Sequence, residues 1–158
     1  MNALKRVGSL LRTLARDEFG SAAVELGIIA PILIFLCFGI VEIARYETFS
    51  IMTVNAARSG VQYGSQNLVT ALDNVGMTNA ALGDAQNLTG LTATASHMCQ
   101  CSDGSVSTCL ATDCPAPLHR IVWVQVTTTG AFTSLLSFPG LPNRITVGGT
   151  AIMRDLQQ

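Results

Sequence analysis

Sixteen consecutive residues, Leu26 to Val41 (LGIIAPILIFLCFGIV), carry no charged or strongly polar side chain and lie between Glu25 and Glu42. Extended back to Ser21, the stretch holds twenty-one residues interrupted by one carboxylate. At a rise of ~1.5 Å per residue, a helix of that length covers the ~30 Å hydrocarbon core of a bilayer. The run is apolar all round, whereas a helix buried in a water-soluble domain keeps a polar face. A cleavable signal peptide closes on small residues in an A-x-A pattern. This run closes in Val41-Glu42-Ile43-Ala44-Arg45-Tyr46, where large and charged side chains stand. A retained transmembrane helix is the reading that remains.

The flanks give the span a direction. Lys5, Arg6, Arg12 and Arg16, four of the nine basic residues, precede it, and only Arg45 and Arg58 fall in the twenty-odd residues that follow. The excess of positive charge keeps the N-terminus cytoplasmic and places residues after about 45 outside. The leader has two readings. Leu4, Val7, Leu11 and Leu14 share a helical face opposite Lys5, Arg12 and Arg16 and suit the inner leaflet; alternatively it is a plain basic leader.

Composition excludes several functions. Charged residues make up 12% of the chain and hydrophobic ones 49%, against about 25% charged in ordinary soluble domains. The net charge of -1 lacks the clustered Lys and Arg with which a nucleic-acid binder displaces counterions, so no nucleic acid is expected as a partner. No phosphate-binding glycine loop, dinucleotide fingerprint, zinc-protease helix or nucleophile elbow occurs. Neither catalysis nor a cofactor is expected. His97 and His119 lack a carboxylate at metal-ligand spacing and read as surface or disulfide-flanking residues at strand edges.

Four of the five cysteines, Cys99, Cys101, Cys109 and Cys114, crowd into one sixteen-residue window of the outer part. On the non-cytoplasmic side such a cluster reads as two disulfides stapling a loop. Three pairings are open, and a direct Cys99–Cys101 bridge is disfavoured by strain. A zinc site with His97 or His119 is the rival, but the gaps of one, seven and four residues depart from the paired C-x₂₋₄-C spacing of structural zinc. Cys37, inside the span, is a small apolar residue.

The outer part reads as α+β. From Glu42 to Gly64 no proline interrupts the chain, so the helix continues beyond the membrane. Tyr46, Phe49, Thr53, Ala56, Gly60 and Tyr63 form one stripe at three- and four-residue spacing, ready to pack against another element, with Tyr46 and Phe49 at interfacial height. Short helices are predicted near 69–72 and 78–87, broken at Gly76. Strands are predicted over 91–98, 119–129 and 144–154, about three in all and antiparallel. In the second, Val122, Val124 and Val126 face one way and Ile121 and Trp123 the other. The connection 130–142 is apolar and must pack on something, and Gly148-Gly149 marks a bulge or a close approach. The organisation expected is a leader over 1–20, a helix over 21–64 and an outer domain over 65–158.

Glu25 remains. A carboxylate inside the bilayer costs ~2.5 to 3.5 kcal/mol on insertion scales, which makes it a functional residue by default unless it sits at headgroup level. It follows a basic leader, Gly20 and the small Ser21, and occupies the fifth position of the apolar helix. That arrangement resembles the cleavage region of type IV prepilins. The stretch D-E-F-G-S-A-A-V-E-L-G-I-I-A-P-I-L-I-F-L-C-F-G-I-V-E-I-A-R, followed by N-A-A-R-S-G-V-Q-Y-G, is similar to the TadE-like family of tight-adherence (Tad, or Flp) pilus systems. Its recognisable parts span Phe19 to Tyr63. The C-x-C-S-D-G run with two further cysteines and the valine-rich strands resemble that family less specifically. Leu26 stands where an aromatic often follows the glutamate.

The resemblance implies a minor pilin or pseudopilin in a bacterial inner membrane, cut between Gly20 and Ser21 by a prepilin peptidase and needed for assembly of an adhesive pilus. Glu25 would then neutralise the new α-amino group of Ser21 on a neighbouring subunit. Pro31, which lacks an amide donor, would loosen the helix one turn or so above it. The partners implied are the peptidase, other pilin or pseudopilin subunits, the inner-membrane assembly platform and the lipid bilayer. The alternative is an uncleaved, membrane-anchored periplasmic adaptor; a third reading is an outer binding module on an inert anchor.

Overall fold

A computed structural model describes residues 18–110, 112–136 and 142–155. The basic leader with Lys5, Arg6, Arg12 and Arg16, and residues 137–141 of the apolar connection, lie outside the described residues. The chain divides into two compact units between Ile43 and Ala44. Helix α1, Glu18–Gly64, runs 47 residues through that boundary.

The first unit is the apolar part of α1. Its side chains turn outward on every side, with Ile28 66% and Phe35 70% exposed. Leu, Ile and Phe at that exposure cost ~1.5 to 3 kcal/mol each in water and nothing in lipid. Among the described residues this is the helix long and apolar enough to cross a membrane. It stays helical through Pro31, although the missing proline N–H leaves the carbonyl of Gly27 without its usual donor four residues on.

The second unit combines the continuation of α1 with two short helices, α2 (Leu68–Ala71) and α3 (Asn74–Asp84). Four antiparallel strands complete it, β1 (Thr92–Cys101), β2 (Val106–Ser107), β3 (Arg120–Thr133) and β4 (Arg144–Arg154), in the order β2-β1-β3-β4. The valine alternation in β3 reads through directly: Val122, Val124 and Val126 are buried and Trp123 stands on the opposite face. They meet Ala57 and Val61 of α1, Ala71 of α2, and Met77 and Ala81 of α3. The core is built on small helical residues, so backbones come close.

Sheet and helix boundaries extend past the sequence expectation for definite reasons. β1 runs on to Cys101 because β3 keeps pairing with it as far as Cys101 opposite Arg120. β3 runs on to Thr133 by pairing with β4, which brings Phe132 out of the expected connection and into the sheet. Its ring meets Tyr46 and Phe49 edge-on, at 5.6 and 5.8 Å between centroids, with the Arg45 guanidinium 5.5 Å above it. The aromatic half of the predicted stripe thus packs on the protein's own sheet. Helix α3 begins at Asn74, so Gly76 lies inside it rather than breaking it. The Asp73 carboxylate caps the helix by accepting the Gly76 N–H at 2.8 Å, and a side chain at 76 would collide with the Tyr63 ring.

α1 comes close to the sheet at Thr53. The Thr128 hydroxyl, fully buried, donates to the Thr53 carbonyl at 2.7 Å, and Thr53 turns its own hydroxyl to the Phe49 carbonyl at 2.8 Å. Gly149 faces the same place. A methyl group there would stand 2.8 Å from Val54 Cα and 3.1 Å from the Thr53 oxygen. The Gly148-Gly149 pair therefore marks a close approach, and the β3–β4 register passes through it without a bulge. Gly60 does the same against Met77, where a methyl would lie 2.8 Å from the carbonyl oxygen.

Gly149→Ala is accordingly expected to destabilise the second unit by about 1 to 3 kcal/mol, the usual cost of overpacking. Gly148→Ala, whose methyl meets nothing nearer than 3.4 Å, leaves stability almost unchanged. Denaturant titration of the two variants side by side checks this, and equal stabilities contradict the close-approach account.

Candidate functional site

Two parts of the chain carry the chemistry singled out in the sequence. The first is the start of α1. Gly20 and Ser21 lie in its first turn, and Glu25 follows one turn later, exposed like the apolar residues around it. Pro31 is inside the same helix, and Cys37 is exposed further along it. An ionisable group on an otherwise lipid-compatible surface has to find a counter-charge or reach the headgroups.

The second is the cross-linked loop between β1 and β3. Cys99 pairs with Cys109 and Cys101 with Cys114, so the two bridges interleave along the chain. Cys99 and Cys101 are two residues apart on β1, hence on the same face, and both are buried. That geometry rules out their bonding to each other and lets each capture a different turn of the loop. With these four sulfurs committed to each other, the loop has no cysteine thiolate left for a zinc ion, and among the described residues no group of three His, Cys, Asp or Glu side chains could hold a metal.

Asp113 organises the loop from within. One of its carboxylate oxygens accepts from the Ser107 hydroxyl at 2.9 Å, the Thr108 N–H at 2.6 Å and the Thr108 hydroxyl at 2.7 Å. Hydrogen bonds to Thr108 and Ser107 hold this carboxyl below its ordinary value of 3.8. Asp103 is lowered in the same way by Ser105, whose hydroxyl and N–H it accepts at 2.7 and 3.0 Å. Cys109 takes a left-handed backbone, φ 72°, unusual for a residue with a side chain. Its N–H donates to the Ser107 hydroxyl at 3.0 Å and its carbonyl accepts from Arg120.

His97 is not the strand-edge residue expected. It lies within β1, half-buried, with Nδ1 2.9 Å from Asn74 Oδ1. His119 does sit just before β3, its N–H donating to the Ser102 hydroxyl at 3.3 Å. Tyr63 bonds to Asp73 at 3.1 Å, which together with partial desolvation raises the phenol above its ordinary value of 10.0. Sequence reasoning missed Asp73 and Asp113. The pattern Asp73-x-x-Gly76 carries the signature of a helix cap, whereas Asp113 finds its partners only once the loop folds back.

An exposed apolar helix of membrane-spanning length, joined to a disulfide-bonded α+β unit, defines a single-pass membrane protein. The family model described as TadE-like protein matches residues 20–62, so over that segment the chain is similar to TadE-like proteins. The match covers the motifs from Gly20 to Gln62 and stops short of the cysteine cluster. No curated protein and no solved structure matches the chain.

The loop chemistry has a pH signature. Because the carboxyl of Asp113 is lowered on folding, its contribution is fully present above the ordinary value of 3.8 and is lost as pH falls through the lowered folded value. Protection of the Thr108 amide, taken relative to its intrinsic exchange rate at each pH, is therefore expected to hold from neutral pH down to about 4 and to fall below it. In Asp113→Asn that protection is lost already at neutral pH; unchanged protection in that variant contradicts the arrangement. Peptide mapping without reductant should yield Cys99–Cys109 and Cys101–Cys114 peptides, and any other pairing overturns it.

Proposed function

We propose that this chain is a minor pilin or pseudopilin of a Tad pilus, inserted in the bacterial inner membrane with its N-terminus cytoplasmic, cut after Gly20 by a prepilin peptidase and required for pilus assembly. The observation that carries the reading is the apolar, outward-facing surface of α1 from Ala22 to Ile43, with Glu25 near its start, in the segment that matches the TadE-like model. Such a surface suits lipid before assembly and the helices of other subunits after it. Non-enzymatic packing is then the whole mechanism.

Cleavage between Gly20 and Ser21 creates an α-amino group four residues ahead of Glu25. Within a bundle of such helices the Ser21 amine of one subunit meets the Glu25 carboxylate of the next. Opposite charges ~4 Å apart attract by about 4 kcal/mol at the effective dielectric of a protein surface and more where water is excluded. A subunit out of register buries a charge unmatched, so the pair selects one stagger. The basic leader, which fixes topology during insertion, is removed in the same step. The disulfide-bonded unit lies in the oxidising periplasm, where its bridges persist. The partners are the peptidase, other pilin or pseudopilin subunits, the assembly platform and the bilayer.

Glu25→Ala tests the pairing. The variant is expected to insert at least as well as the parent chain, because the ~2.5 to 3.5 kcal/mol cost of the carboxylate disappears, yet to leave cells without assembled pili. Membrane fractionation and electron microscopy read the two effects separately, and normal piliation by Glu25→Ala cells contradicts the role given to this residue.

A further inference from the structure

The face of the sheet turned away from the helices is divided in two. Towards the start of β1 it is a ladder of threonines that satisfy one another, Thr92 with Thr129 at 2.8 Å and Thr127 with Thr150 at 3.2 Å. Towards the cross-linked loop it becomes apolar. Met98 lies directly opposite Trp123, and Ile152 lies opposite Gln125, one step along the same face. Met98 is 64%, Ile152 58% and Trp123 37% exposed. Together with Ser96, Gln100 and Gln125 they line a hollow of about 420 Å³, within the size range of small-ligand sites, about 300 to 1,000 Å³.

We propose that this hollow is a saccharide-binding site. Its lining holds an aromatic ring and two aliphatic side chains on one side and uncharged groups that both donate and accept on the other. Gln125 offers a carboxamide on the exposed face. Gln100 is fixed by donating its amide to the Gly104 carbonyl at 3.0 Å, which leaves its oxygen as an oriented acceptor. Ser96 adds a hydroxyl. Among the described residues no carboxylate, lysine or arginine lines the hollow, although Arg154 lies opposite Trp123 at its margin, and the lining imidazole, His97, is held by Asn74. A ligand matching this set has an apolar face to lie on indole and neutral groups that each donate and accept. A pyranose ring has both.

Other occupants fit less well. An extended peptide adds to a sheet at its edge through main-chain bonds, whereas this hollow opens on the face. A second copy of the chain needs roughly 800 Å² per partner for a stable interface, and the apolar island ends after a few side chains where the threonine ladder begins.

Trp123 is the chain's single tryptophan, so its emission reports on the hollow alone. The full chain in lipid nanodiscs, free of sugar-headed detergent, is titrated with chitotriose, cellotriose and mannotriose to about 10 mM, above the millimolar Kd expected of one stacked ring and a few hydrogen bonds. A saturable emission change with at least one of them is expected. Gln125→Ala, an exposed position that leaves the fold intact, should weaken that binding about two- to tenfold. Trp123→Ala should abolish it, read by saturation-transfer NMR on the sugar. The proposal is overturned by absence of a saturable change with all three sugars, by unchanged affinity in Gln125→Ala, or by emission that follows protein concentration instead of sugar, which marks a contact between copies.

Discussion

The α+β unit depends on how closely α1 lies against the sheet. At Thr53 the helix backbone is itself a hydrogen-bond partner of a buried strand hydroxyl, Thr128, and it is approached by a strand position with no side chain, Gly149. A buried hydroxyl without a partner costs about 1 to 3 kcal/mol, so this bond ties the helix to one height on the sheet. From that point the small residues Ala56, Ala57 and Gly60 keep the two backbones near each other, and Val122, Val124 and Val126 fill what remains. Ordinary Leu-rich packing would hold the layers further apart. The aromatic cluster of Tyr46, Phe49 and Phe132 closes the same interface at one end, and the Tyr63–Asp73 bond with the Asp73 cap closes it at the other.

Against this rigid part the cross-linked loop is organised by different means. Few of its residues can be buried, since Val106 and Leu110 remain exposed, so its order comes from two covalent bridges and from two aspartates that gather nearby hydroxyl and amide donors. Loss of conformational freedom in the unfolded chain is the general way in which bridges of this length contribute, about 3 kcal/mol for a loop near fifteen residues. Both bridges start from one face of β1, which couples the loop to the core through Cys99.

How much of this could be read from the chain depended on whether the signal was local. Alternation in β3 gave its two faces residue by residue, since a strand's period is a property of the chain alone. The apolar run gave α1, and the cysteine cluster gave two bridges. Strand ends did not follow from propensity, because β1 and β3 continue for as long as their neighbours pair with them, through Cys101 and Thr133. Gly76 looked like a breaker but serves as the contact point for Tyr63 within a capped helix. The bridge pairing needed the observation that Cys99 and Cys101 share a face, and the roles of Asp113 and Thr128 needed partners that are remote in sequence or brought near only by folding. Within α1 the motif residues Gly20, Ser21, Glu25 and Pro31 were legible as a group because they fall in one short segment, the one that the TadE-like family model matches.

The proposed function rests on a single covalent event at the start of that helix. On that proposal the leader that would orient the chain and the glutamate that would pair between subunits have opposite requirements. One needs positive charge kept in the cytoplasm, and the other needs a free amine beside the bilayer. Cleavage after Gly20 would reconcile them by removing the first and creating the second. Intact-mass and N-terminal peptide analysis of the chain purified from its native membrane tests this directly. The account predicts a mature protein beginning at Ser21; a chain that retains Met1 and the basic leader in cells with an active prepilin peptidase contradicts it and leaves a permanently anchored adaptor.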